Sequence, residues 1–188
     1  PAQGQPVLFF NASTRLSRLS LNAGFSRLTA WALELQGIPV AHFVCQRGLQ
    51  PCVLGTNRND ARLRTPCHTC ILESEILFGG SQTIGFDFNE DPVLESVLEG
   101  LDLEGLYGFT HLGIPLGALV LPSVRWILRR HHLKTDEMTV LIYKGYIRSA
   151  WSFAQHFEKA LDELAPRALV VYNGVMYPEG VAKWLAQK

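Results

Sequence analysis

Residues 6–44 read PVLFFNASTRLSRLSLNAGFSRLTAWALELQGIPVAHFV, and this stretch decides the fold. Pro6-Val-Leu-Phe-Phe10 is an unbroken apolar run of strand length, and Asn11-Ala-Ser-Thr14 is a turn. From about Leu19 to Gln36, the residues Leu21, Phe25, Leu28, Trp31, Ala32 and Leu35 recur at helical spacing and share one face. Gly37 closes that helix and Pro39 bars its continuation. Val40-Ala-His-Phe-Val44 is a second strand. Strand, helix and strand within about 40 residues predict two parallel strands joined by a crossover helix.

The same alternation continues downstream. Residues 45–70 break the rhythm with Gly48, Pro51, Gly55, Asn57, Asn59, Asp60 and Pro66, all loop formers. A helix is predicted over Cys67–Phe78 and a third strand over Thr83–Phe86. Asp91 caps a short helix that runs to Glu99, with Pro92 in its first turn. Another helix spans Gly117–His131, bent or offset at Pro122. Thr135–Leu164 is long and helical, with Ile142, Tyr146, Ala150, Phe153, Phe157 and Leu161 at helical spacing. Ala168–Tyr172 reads as a strand, Asn173-Gly174 as a sharp turn and Pro178–Gln187 as a final helix. Short apolar strands separated by helices predict a parallel sheet covered on both faces. The expected strand order is 3-2-1-4, in a single three-layer Rossmann-like α/β domain over residues 1–188. Its sheet has about four strands, with residues 45–70 as a cysteine-rich metal-binding insertion after strand two.

Composition bounds the function. The 188 residues are 47% hydrophobic and 18% charged, which describes a globular chain. Lys+Arg and Asp+Glu both number 17, so no basic excess speaks for nucleic acid. The longest apolar run, Leu112–Leu121, is interrupted by Gly113, Pro115 and Gly117 and is too short for a membrane span. No signal peptide begins at Pro1, so the expectation is a cytoplasmic protein, and the missing initiator Met fits a trimmed or excised piece.

All four cysteines fall within residues 45–70, in the pattern C-x6-C-x14-C-x2-C formed by Cys45, Cys52, Cys67 and Cys70. The two-residue gap in Pro66-Cys67-His-Thr-Cys70 lets two thiolates face one metal, and a structural zinc ion held by four thiolates is the leading reading. Two disulfides, an iron–sulfur cluster or free thiols are the competing ones. His68 reads as an exposed loop residue.

Catalytic signals are sparse. No Walker loop, dinucleotide glycine fingerprint, nucleophile elbow or H-E-x-x-H occurs. The switch point between strands one and four brings two loops together, Asn11–Arg15 and Asn173–Tyr177. Asn11, Ser13, Arg15, Asn173, Gly174 and Tyr177 are therefore the candidate substrate-binding residues, and His111 the candidate base. Arg125, Arg129, Arg130, His131 and His132 gather at one helix end, either as favourable charge there or as a contact for a phosphate-bearing acceptor or a membrane surface.

Four stretches together resemble a known family. They are Cys45–Arg58, Pro66–Cys70, Leu116–Arg130 and Val170-Val-Tyr-Asn-Gly-Val-Met-Tyr-Pro-Glu179. The chain is similar to the N-terminal half of bacterial surface (capsule) polysaccharide glycosyltransferase-like proteins of GT-B type. That resemblance implies an acceptor-side domain, a further C-terminal donor-binding domain, a saccharide or lipid-linked acceptor, no turnover by this half alone, and work at the inner face of the membrane. The alternative is a non-catalytic zinc-knuckle module that grips a protein or nucleic-acid partner through Arg47, Arg58, Arg62 and Arg64.

Overall fold

The computed structural model describes residues 4–13 and 20–188. Thr14 and Arg15 of the first loop lie outside the described residues. The elements run β1 (Val7–Phe10), α1 (Leu21–Leu35), β2 (Val40–Cys45), α2 (Cys67–Phe78), β3 (Gln82–Phe86), α3 (Pro92–Glu99), α4 (Leu103–Tyr107), α5 (Leu116–Leu128), α6 (Glu137–Leu164), β4 (Ala168–Val170) and α7 (Tyr177–Ala186). The sheet is parallel, in the order β3-β2-β1-β4. This is the expected α/β arrangement and strand order, with the short helix α4 in addition.

Side-chain alternation along the two central strands separates the layers. Leu8, Phe10, Ala41 and Phe43 point into the large core, with α3 to α7 behind them. There, Phe10, Phe43 and Phe86 from three strands meet Phe153 and Phe157 of α6, mostly edge to face at 5.0–5.9 Å between ring centroids. On the opposite face, Val7, Phe9, Val40 and Val44 lie in small clusters with Ala23, Ala30 and the half-buried Leu33 of α1, Leu77 and Phe78 of α2, and Ile38. Helix α6 starts at Asp136, whose carboxylate accepts from the Thr139 amide at 2.8 Å, and ends at Ala165 in the left-handed conformation.

Two expectations are corrected. The sheet is covered on both faces only at β1 and β2; β3 and β4 are edge strands with most residues exposed or half-buried. The periodicity of α1 is that of a surface helix with its apolar stripe turned inward, yet Leu21, Phe25, Leu28, Trp31 and Leu35 all face outward. The helix lies on the sheet through Ala23, Ala30 and the half-buried Leu33.

Among the described residues, no helix is long and apolar enough to cross a membrane.

Candidate metal centre and switch-point loops

Cys45 closes β2, Cys52 sits in the following loop, and Cys67 and Cys70 occupy the first turn of α2 at i and i+3, on one face of that helix. All four line a single cavity of about 30 Å³, together with Ala12 and Ser13 from the loop after β1. No disulfide joins them. The sulfurs receive backbone donors: the Gly55 amide reaches Cys52 Sγ at 3.0 Å, Leu54 adds a second amide, and Gly48 and Leu49 donate to Cys45. The Thr65 hydroxyl lies 3.0 Å from Cys67 Sγ. Such N–H···S contacts favour a thiolate, but burial dominates. It pushes the Cys45 thiol up to about 12 and that of Cys52 up to about 11, and the neighbouring sulfurs add to the rise. Without a cation, both are neutral thiols at pH 7. Among the described residues, no three His, Cys, Asp or Glu side chains are closed into a ready ligand set.

The loop after β4 is anchored beside this cavity. Glu179, in the first turn of α7, is buried. Its Oε1 accepts from Ser13 Oγ at 2.9 Å, and its Oε2 from the Asn173 and Gly174 amides at 3.3 Å each. One carboxylate therefore ties together the loops after β1 and β4. Gly174 takes φ +65°, and a Cβ there would press on Lys183. Asn173 Oδ1 accepts from the Val175 amide at 2.9 Å. Tyr177 is fully buried; its hydroxyl donates to the Pro51 carbonyl at 2.6 Å and lies 2.9 Å from Ser149 Oγ. Ser123 Oγ of α5 accepts from the Tyr177 amide at 2.8 Å. As placed, Tyr177 braces the cysteine loop and offers no surface to a ligand. Asn11 is likewise buried, its amide nitrogen donating to His42 Nδ1 at 2.9 Å.

No family model matches this chain, and no curated protein or solved structure does either.

The structure therefore brings together Ser13, Asn173, Gly174, Tyr177 and the cysteine loop, while His111 stands elsewhere. It packs edge-on against Trp151 at 4.5 Å and pairs with Ile114 through backbone bonds. Nearby is a cleft of about 430 Å³ beyond β3, lined by Asn89, Asp91, Glu95, Arg148 and Trp151. Backbone amides of α3, chiefly that of Leu94, hold the Asp91 carboxyl below its ordinary range, helped by Trp151 Nε1 at 2.7 Å and by the field of His111. Arg148 is paired with Glu95.

The arginine clusters disperse. Arg58 stacks over Trp126, Arg62 pairs with Glu137, and Arg47 lines the cysteine cavity. Arg64 lines a separate cleft together with Arg62 and Arg148. Arg130 is drawn back to Asp136 and Thr139, and Arg129 ends α5 in a left-handed cap. Two features escaped the sequence reading, Glu179 as the staple of both loops and the Asp91–Trp151 cleft. A Pro followed by Glu in a helix's first turn, just after an Asn-Gly turn, was the available signal for the first.

Proposed function

We propose that this chain is the acceptor-side Rossmann-like half of a surface-polysaccharide glycosyltransferase of GT-B type, with the cysteine loop ordered by one structural zinc ion. The observation that carries this reading is a hydrogen-bond chain. Pro51, Tyr177 and Ser123 link the three longer stretches behind the family resemblance, and the cavity lined by Cys67 and Cys70 adds the fourth. Residues far apart in sequence thus meet beyond the carboxyl ends of the strands, where α/β domains take their ligands.

Zinc suits the cavity better than the alternatives. A small cavity of about 30 Å³ lined by four cysteines suits a single ion. Cys45, Cys52, Cys67 and Cys70 would hold it with Zn–S distances of about 2.3 Å. The ion's charge would supply what the buried sulfurs lack, turning neutral thiols into thiolates and fixing a loop poor in apolar residues. In this reading Asn173 and the loop after β1 face a saccharide or lipid-linked acceptor, a separate domain supplies the donor sugar, and the chain works at the inner face of the membrane.

The metal is tested by inductively coupled plasma mass spectrometry and zinc-edge X-ray absorption on the purified chain. One zinc with four sulfur neighbours is expected; two disulfides with no metal would overturn it. The acceptor role is tested by ¹⁵N NMR titration with a polyprenyl-phosphate-linked saccharide. Shifts at Asn173 and Gly174 are expected, and an unchanged spectrum removes the role.

A further inference from the structure

Helix α1 shows solvent a stripe that a monomer has no use for. Leu21 is 80% exposed, Phe25 66%, Leu28 60%, Trp31 47% and Leu35 89%. Together they present on the order of 600 Å² of apolar surface, most of the ~800 Å² per partner in a standard interface. The spacing Leu21, Phe25, Leu28, Ala32, Leu35 is the alternating four-three step of a helix–helix seam.

The order of these residues says what covers them. Around Leu28 the stripe is a pseudo-palindrome: Leu21 mirrors Leu35, Gly24 mirrors Ala32, and Phe25 mirrors Trp31. A two-fold axis requires residue i to meet j of the other copy and j to meet i. Antiparallel packing about Leu28 puts leucine on leucine, aromatic on aromatic, and small on small. Open space beside Gly24 allows the close approach that the small pair needs. The flanks raise no repulsion, since Asn22, Thr29 and Gln36 are uncharged. The one cation of α1, Arg27, is engaged with Ser81 and stacked over Trp31, while Glu34 accepts from the same Ser81 hydroxyl. A helix built to lie on anionic lipid would instead line its polar flank with unengaged cations.

We propose that α1 is the interface of a two-fold homodimer, packed antiparallel on the α1 of a second copy and centred on Leu28.

The test is sedimentation velocity of the purified chain at tens of micromolar, beside Leu28→Glu and the control Val93→Glu on α3, another exposed apolar residue on the far side of the sheet. A dimer is expected for the native chain and for the control. Leu28→Glu should weaken it about 100-fold or more with an unchanged circular dichroism spectrum, since a central interface residue is lost. A photo-crosslinking phenylalanine at Phe25 should label the Trp31 peptide of the other copy. A monomer at all concentrations overturns the proposal, as does a dimer indifferent to Leu28→Glu. Crosslinks confined to Phe25 of the other copy overturn the antiparallel arrangement. A monomer that floats with phosphatidylglycerol vesicles, and ceases to on Leu28→Glu, assigns the stripe to lipid and overturns it too.

Discussion

His42 is the sharpest test of this packing. It sits in the middle of β2 with no exposure, stacked on Phe78 at 4.5 Å and tilted against Phe9 at 5.6 Å. Asn11 donates to its Nδ1, so the neutral ring carries its proton on Nε2, which has no partner among the described residues. Burial, with a smaller contribution from Arg27, lowers its pKa from 6.5 to about 4. In the unfolded chain the ring takes up a proton near pH 6.5; in the folded protein it resists until about pH 4. The stability tied to the neutral ring is therefore complete above pH 6.5 and is lost as pH falls towards 4. A shift of that size corresponds to about 3 kcal/mol, a large part of the stability of a typical domain. Urea unfolding at a series of pH values from 8 to 4, on the native chain and on His42→Phe, isolates the effect. The native chain should lose about 3 kcal/mol more than the variant across that window. Titration of the His42 Cε1 proton near pH 6.5, or an equal pH slope in the variant, would refute the reasoning.

Further outcomes follow from the same contacts. Zinc binding should release at least two protons per ion in weakly buffered solution at pH 7, because Cys45 and Cys52 are thiols there; affinity should rise with pH, and Cys52→Ser should abolish tight binding. Glu179→Gln should cost about 1–3 kcal/mol and speed hydrogen exchange at the Asn173 and Gly174 amides, which lose their carboxylate acceptor. Gly117→Ala should destabilise by about 1–3 kcal/mol in thermal unfolding, since its Cβ would fall 2.1 Å from the Leu106 carbonyl oxygen and force α4 from α5.

Much of the architecture was legible because each element carries its own signal. Val7–Phe10 and Val40–Cys45 are apolar in every residue but His42, and Asp91-Pro92 opens α3 as such pairs do. The expected strand order, 3-2-1-4, is the one observed. The orientation of α1 was not legible, because a periodic stripe reports that a face is apolar and is silent on what it meets. Ala23, Ala30 and Leu33 mark the true inner face, a pattern weaker than the outer stripe. For the site, cysteine spacing gathered four residues correctly around one cavity. The buried roles of Tyr177 and Glu179 depend on partners 126 and 166 residues away, which no local pattern encodes.

That long reach bears on how the protein is made. The Tyr177 hydroxyl grips the Pro51 carbonyl, and β1 finds one of its two neighbours only in β4. A nascent chain still tethered to the ribosome holds β1, β2, β3 and all four cysteines well before either brace exists. During that interval the cysteine loop lacks the Tyr177 contact that braces it in the folded chain. The emergence of α7 is then the step that braces the loop, so the cysteine cavity takes its final shape only after all four described strands have been made.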